Sequence, residues 1–172
     1  MIIQTERLTL QSITPEIAGR IVAREGRGDD LWHPEYPFAD ELDPLRGLAV
    51  TRSPHPVFTM YMIRRRADGF AIGGLGFFGP PDDAGRVEFG YGLVPSARGT
   101  GLATEAVRAA LEFACAHGAR VAIADTPAAN IASQRVLEKS GLLATHNDGS
   151  SVHFARTLRD NRTLTGNHAP MG

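Results

Sequence analysis

The stretch RVEFGYGLVPSARGTGLATEAVRAALEFACAH, residues 86–117, decides the fold of this chain. Its first part, 86–94, predicts a strand, and apolar residues spaced three and four apart from Ala103 onward predict an amphipathic helix. Between the two, Gly99 and Gly101 allow the backbone to approach a ligand closely and to take positive φ. A glycine-spaced turn that opens a helix points N–H groups outward at the positive end of the helix dipole, so the stretch predicts a pyrophosphate-binding site.

The flanking segments complete a mixed α/β pattern. Residues 119–125 predict a buried strand after the helix, and a strand–helix–strand unit makes its two strands parallel with a right-handed crossover. Residues 57–63 and 70–78 predict an antiparallel hairpin, and residues 6–13 alternate as a strand does. We therefore expect an α/β (α+β mixed) fold, with a twisted sheet of about six to seven strands and about four helices on both faces.

Length and composition are those of an ordinary globular domain. The chain has 172 residues, of which 42% are hydrophobic and 22% charged. The formal net charge of -1 offers no electrostatic reason to bind nucleic acid or an anionic membrane. The single cysteine allows neither an intrachain disulfide nor a metal cluster, and no apolar run is long enough to span a membrane. We expect a cytoplasmic protein with one domain over 1–158, a disordered tail over 159–172, and a monomer or homodimer.

The glycine turn and three further motifs resemble one known family. Residues 98–103 (RGTGLA) fit the pattern Arg/Gln-x-x-Gly-x-Gly/Ala and so resemble the acyl-CoA loop of the GCN5-related N-acetyltransferases, the GNAT superfamily. Residues 5–11 (TERLTLQ) resemble the opening strand of the RimJ/RimL-like branch, which acetylates ribosomal-protein N-termini. Residues 87–95 resemble the strand that carries the acetyl group, and residues 130–141 resemble the Asn-x-x-Ser…Glu-Lys-x-Gly helix. Order and spacing agree with the family from about residue 5 to 158.

This resemblance implies an enzyme that transfers an acetyl group from acetyl-CoA to a primary amine, such as a protein N-terminus or a small-molecule amine, by direct attack in a ternary complex and with no metal. A GNAT-fold module that binds acyl-CoA without turnover, as a sensor or partner protein, stays open as the alternative. The N–H groups near Leu93 and Val94 would polarise the thioester carbonyl. The implied cofactor-binding residues are Leu93, Val94, Arg98, Gly99, Thr100, Gly101, Leu102, Ala103, Thr104, Asn130 and Ser133.

The candidate catalytic residues are Glu88, Ser133 and Tyr91. Glu88 shares a strand face with two glycines, so it could reach a substrate amine as general base, although a structural or surface carboxylate is the competing interpretation. Many family members protonate the leaving thiolate with a tyrosine in the last helix, but that position here is Leu137. Ser133 and Tyr91 are therefore the substitutes for that general acid.

An acidic and aromatic segment, residues 29–43, predicts the acceptor side. It contains six acidic residues and no lysine or arginine, with Trp32, Tyr36 and Phe38 interleaved. In the family this region leans over the acceptor, so we expect these aromatics, together with Glu88, to bind a cationic substrate such as an N-terminal amine, an amino acid or a polyamine-like drug. A solvated loop pinned by its aromatics is the alternative.

A second glycine motif, GLGFFG at residues 74–79, matches a dinucleotide-binding fingerprint. It leads into Pro80-Pro81 and not into a helix, which is the wrong context for a phosphate site. We expect these glycines to form a bulge or to admit a close neighbour.

Overall fold

A computed structural model of the protein describes residues 1–159. They build one sheet with helices on its faces, and the mixed α/β class is confirmed. The strands are β1 (Ile2–Gln4), β2 (Leu8–Ser12), β3 (Met60–Arg65), β4 (Ala71–Phe77), β5 (Arg86–Leu93), β6 (Val121–Pro127), β7 (Leu143–Asn147) and β8 (Ser151–Thr157). The helices are α1 (Pro15–Ala23), α2 (Leu42–Ala49), α3 (Leu102–Ala116) and α4 (Ile131–Lys139), with 3-10 turns at Ala39–Glu41 and Pro95–Ala97. The predicted tail, apart from residue 159, lies outside the described residues.

The sheet of the described residues has eight strands in the order β1-β2-β3-β4-β5-β6-β8-β7. This is slightly more than the six to seven expected, because β1 has only three residues, too few to show a period in the sequence. The β3–β4 hairpin is antiparallel and the β5–β6 pair is parallel, as predicted. No helix within residues 1–159 is both long and apolar enough to cross a bilayer.

The parallel pair β5–β6 is short. Its register runs only from Arg86 opposite Val121 to Glu88 opposite Ile123, although both strands continue. The carboxyl half of β5 is therefore paired on one side only, with β4. A gap opens between β5 and β6 at the end of the sheet where the glycine turn begins.

A patch of the sheet without side chains lies beside this gap. Gly74 and Gly76 of β4 are the register partners of Gly92 and Gly90 of β5, so the four share one face. We call them the glycine floor. A methyl group added at Gly74 would overlap a carboxylate oxygen of Glu41, and one added at Gly92 would overlap the ring of Phe38. The glycines thus admit a close neighbour, as predicted, and the neighbour is the segment before α2.

The helices are placed by apolar faces and local caps. The Thr14 hydroxyl accepts a hydrogen bond from the Ile17 N–H (3.3 Å) and Pro15 occupies the first turn, which together fix the start of α1. Helix α3 buries a stripe of apolar residues that includes Leu102, Val107 and Leu111. Its Phe113 ring meets Tyr61 of β3 edge-on, with 6.1 Å between ring centroids.

Candidate active site

The turn before α3 is built to expose backbone donors. Gly99 and Gly101 have φ angles of 83° and 82°, the left-handed region that favours glycine. Among the described residues, none accepts a hydrogen bond from the N–H groups of residues 99–104. Consecutive unpaired donors at a helix N-terminus form an anion site, because the helix dipole adds partial positive charge there.

Arg98 holds this turn against the end of β5. Its Nε donates to the Leu93 carbonyl oxygen (2.8 Å), and its N–H donates to Pro95 (3.2 Å). Both of these donors are used within the protein. Arg98 therefore shapes the turn, and only the remaining guanidinium N–H groups are available to a phosphate.

The N–H groups of Leu93 and Val94, predicted as donors at the end of β5, point to opposite sides of the strand. The Val94 N–H donates to the Ile72 carbonyl oxygen (2.8 Å), so the prediction of a free donor at Val94 does not hold. In an antiparallel ladder, donors alternate between the two sides of the strand. Because Val94 bonds to the β4 side, the N–H of Leu93 points the other way, into the gap where β6 no longer pairs.

Tyr91 and Ser133 meet across the gap. The Tyr91 hydroxyl lies 2.9 Å from Ser133 Oγ and 3.0 Å from the Ser133 carbonyl oxygen. Burial raises the pKa of Tyr91 to about 12, although the Ser133 hydrogen bond opposes it, so the phenol stays protonated at neutral pH. Ser133 is held in the first turn of α4, where its N–H donates to the capping Asn130 side chain (3.1 Å).

The turn and this pair face a common cavity of about 430 Å³, which we call the loop cavity. Most of the predicted cofactor-binding residues line it: Leu93, Arg98, Gly99, Gly101, Leu102, Ala103, Thr104, Asn130 and Ser133. Val94 and Thr100 do not. Arg135 and Lys139 of α4 also line it; no local motif distinguishes them, because their role depends on where α4 packs.

A second cavity of about 650 Å³, the floor cavity, lies over the glycine floor. Its walls come from α2, the segment 51–60 and the β4–β5 region, and they are mostly apolar. The two cavities share Phe38, Asp40 and Tyr91. A group bound over the floor therefore lies next to a group bound along the glycine turn.

Of the three aromatic residues predicted to bind substrate, the structure places only Phe38 at these cavities. The Trp32 indole packs under the Arg20 guanidinium, 5.5 Å from the ring centroid, and Tyr36 is buried in the core. Neither lines the loop cavity or the floor cavity. Trp32 is held away from the cavities because its backbone pairs with Ala71 at the start of β4.

Three of the six predicted acidic residues are likewise used elsewhere. Asp30 pairs with Arg20, Asp43 pairs with Arg46 (2.6 Å), and Glu35 accepts hydrogen bonds from Ser96. Of the acidic residues of segment 29–43, only Asp40 and Glu41 line the floor cavity. Only these two carboxyl groups, and not the whole segment, can therefore attract a cationic substrate into the floor cavity.

Glu88 is exposed on β5, on the same face as the glycine floor but beyond it. It lines neither cavity, because the Phe78 ring lies over the intervening Gly90. Its role as general base stays a prediction. Leu137, at the family's tyrosine position, is buried and only 1% exposed, so it belongs to the core.

Comparison with known proteins agrees with this geometry. The acetyltransferase (GNAT) domain matches residues 7–143, and the chain therefore belongs to the GNAT acetyltransferase family. It is similar to the uncharacterized N-acetyltransferase YjdG of Bacillus subtilis (strain 168), with 26% identity over 165 residues that cover 90% of this chain and 96% of that protein.

Solved structures share the fold. The ribosomal L7/L12 alpha-N-protein acetyltransferase RimL in complex with coenzyme A superposes with a TM-score of 0.67 at 16% identity, covering 94% of this chain and 100% of that one. The ribosomal-protein-S5-alanine acetyltransferase from Vibrio fischeri gives 0.62 at 16% identity, covering 91% and 96%. At this identity the neighbours confirm the fold.

Proposed function

We propose that this protein transfers the acetyl group of acetyl-CoA to a primary amine by direct attack in a ternary complex. The observation that carries the proposal is the run of unpaired N–H groups at residues 99–104, which faces a cavity whose other wall holds the Tyr91–Ser133 pair. A diphosphate fits the run of donors, and the gap between β5 and β6 leaves room for the pantetheine arm.

In this proposal the Leu93 N–H donates to the thioester carbonyl oxygen. As the amine attacks, negative charge develops on that oxygen, and a donor placed there in advance lowers the barrier; removing one such donor typically costs about 10²–10³ in rate. Val94 has no part in this step, since Ile72 already uses its N–H.

Tyr91 would protonate the leaving thiolate, with Ser133 holding its hydroxyl in place. The C–S bond breaks with its electron pair on sulfur, and the phenol proton moves to that sulfur. A raised pKa keeps the proton on Tyr91 until the thiolate forms. Leu137 thus leaves no gap in the chemistry, because Tyr91 of β5 contacts the first turn of α4, about one turn before Leu137.

The matched variants Thr104→Asp and Ala109→Asp test the cofactor site. Thr104 lines the loop cavity in the first turn of α3, whereas Ala109 lies further along the helix. A carboxylate at residue 104 suits the helix dipole but repels a diphosphate, and like charges about 4 Å apart repel by about 1–4 kcal/mol in water-like to surface-like surroundings. We expect acetyl-CoA to bind Thr104→Asp at least about tenfold more weakly than Ala109→Asp in calorimetry.

Equal affinity of the two variants for acetyl-CoA would show that the cofactor does not bind at the glycine turn. Thiol release from acetyl-CoA over a panel of amines then separates enzyme from sensor. Release that depends on the added amine supports the transferase, and binding without release from any amine supports the non-catalytic module.

A further inference from the structure

Glu41 is a buried carboxyl group that the steps above do not use. It ends the 3-10 turn before α2, and only 5% of its surface is exposed. One oxygen accepts a hydrogen bond from the Phe38 N–H (3.3 Å), and the other lies directly over the backbone of Gly74. Among the described residues, no lysine, arginine or histidine pairs with it.

The cavity around Glu41 is suited to an apolar ligand with one positive charge. The floor cavity contains no lysine or arginine, and its walls are dominated by apolar side chains, which are Pro44, Leu48, Pro54, Phe58, Met60, Leu75, Phe77, Phe78 and Pro80. The hydroxyl-bearing side chains of the lining are Thr51, Ser53, Thr59 and Tyr91, too few to partner most of the hydroxyl groups of a polyhydroxylated ligand. A polyamine would need more than the two acids that the cavity offers.

Glu41 also lies next to the place where the acetyl group is expected. Gly74 beneath it is the register partner of Gly92, and Gly92 directly precedes Leu93, whose N–H points into the gap. The turn that carries Glu41 also carries Phe38 and Asp40, which line both cavities. A nitrogen held by Glu41 over the floor is thus one strand away from the donor at Leu93.

We infer that Glu41 binds the ammonium group of the acceptor and takes its proton, and that the acceptor is a monoamine carried on an apolar body. This inference rests on the proposed function and names the substrate class of the same site.

The proton balance is complete with the groups present. The ammonium gives one proton to the Glu41 carboxylate and becomes a free amine, whose lone pair forms the C–N bond as the C–S bond breaks. The thiolate takes its proton from Tyr91, the nitrogen releases its second proton through water to restore the phenol, and Glu41 returns its proton to water. Burial raises the pKa of Glu41 to about 8, although the Phe38 hydrogen bond lowers it. An α-amino group titrates near 7.7–8.0, so the first transfer is close to balanced in energy.

None of the described groups that face Glu41 competes with it as the proton acceptor. Tyr36 of the preceding loop is the titratable neighbour, and burial holds the pKa of its phenol well above the ordinary value, so it stays neutral. From β3, Arg64 reaches toward Tyr36, but its NH1 donates to the Asp30 and Gly69 carbonyls. The strand beneath contributes glycine and no charge.

The remaining charged groups lie on α2 or elsewhere in the floor cavity. On α2, Asp43 and Arg46 pair with each other at the surface. His55 lines the floor cavity, and its Nδ1 accepts hydrogen bonds from the N–H groups of Val57 and Phe58. Asp40 is exposed, so water screens it more than Glu41.

The test measures kcat against pH for wild type, Glu41→Gln, Glu41→Asp and Glu112→Gln, with leucinamide and acetyl-CoA as substrates. Glu112 is an exposed carboxyl on α3 and serves as the control. Because the carboxylate must be ionised, wild-type kcat should rise through about pH 8. Glu41→Gln should lower kcat by about 10²-fold or more, because the amine must then lose its proton without a base beside it. Glu41→Asp should restore part of the rate and keep a rise, and Glu112→Gln should match wild type.

Two readouts stand beside the rate. Leucinamide should exceed glycinamide in kcat/KM by at least about tenfold, because each buried CH₂ is worth about 0.8 kcal/mol, or nearly fourfold; spermidine and kanamycin should both be poorer than leucinamide.

The melting temperature of wild type should fall relative to that of Glu41→Gln as pH rises from about 5 to 8, since a raised carboxyl pKa means that the folded state holds a proton which the unfolded state has lost.

The outcomes distinguish this inference from the proposed function. If the wild-type enzyme acetylates amines and Glu41→Gln keeps the wild-type kcat, the inference is overturned and the proposed function stands. If Glu88→Gln alone lowers kcat by about 10²-fold, Glu88 is the base. A preference for glycinamide or spermidine overturns the substrate class. No thiol release with any amine overturns both.

Discussion

Replacing Gly92 by alanine tests whether the bare sheet surface shapes the site. The added methyl group would overlap the Phe38 ring, so either the ring or the backbone of β5 has to move. Phe38 lines both cavities, and its displacement therefore changes the wall between the two bound substrates.

The chain provides a matched control at Gly76. It belongs to the same glycine floor, but a methyl group there would lie 3.3 Å from Cγ of Met60, a flexible side chain that can move aside. Both variants lose the same glycine entropy in the unfolded chain, so this contribution cancels in their comparison. The difference isolates the overlap with Phe38, and overpacking of this kind costs about 1–3 kcal/mol.

A difference of that size is measurable by thermal unfolding. For a domain of 150–250 residues, one kcal/mol corresponds to about 2–4 °C, so Gly92→Ala should melt about 2–12 °C below Gly76→Ala. It should also lose kcat/KM for acetyl transfer, with a smaller loss in acetyl-CoA affinity, because the glycine turn is untouched. If the two variants melt within about 1 °C of each other and have equal activity, the floor does not hold Phe38 in the way described.

The remaining predictions concern the turn, the proton donor and the first turn of α3. Gly101→Ala forces a non-glycine residue to φ near 82° and should cost about 1–2 kcal/mol, seen as weaker acetyl-CoA binding or a lower melting temperature, whereas Gly47→Ala in α2, which has open space around it, should cost neither. Tyr91→Phe should lower kcat by roughly 10²-fold while calorimetry shows unchanged acetyl-CoA affinity; an unchanged kcat removes the phenol from the mechanism. Burial raises the pKa of Glu105, but hydrogen bonds from Thr5 and Arg7 outweigh it and hold the pKa below its ordinary value. Wild type should therefore be more stable than Glu105→Gln by about 1 kcal/mol at neutral pH in urea titrations. The difference should shrink as pH falls below the ordinary glutamate pKa of about 4.3 and vanish once the folded carboxyl is protonated; a constant difference would show that the charge is not responsible.

Features that depend on neighbouring residues could be predicted from the sequence. The period of α3 and the left-handed glycines of the turn are decided within one or two helical turns of chain, and each lies where it was expected. The parallel β5–β6 pair also followed from order alone, since a strand–helix–strand unit has one favoured hand.

Features that depend on strand register and on packing could not be predicted from the sequence. A change of one residue in the alignment of β4 with β5 exchanges the N–H groups of Leu93 and Val94 between ladder and gap, and nothing near either residue specifies that alignment. The contact of Tyr91 with Ser133 joins residues 42 positions apart, so it exists only because α4 returns to the end of β5.

The acidic segment shows the same division. Its charge and its aromatic residues were visible in the sequence, but the burial of Glu41, and not of its neighbours, depends on glycines that lie more than thirty residues further along the chain. The sequence by itself determined the turn that can hold a diphosphate, because backbone conformation and helix start are local properties. Only the tertiary structure decided which carboxyl group is withdrawn from water, because burial is set by whatever distant surface folds against a side chain.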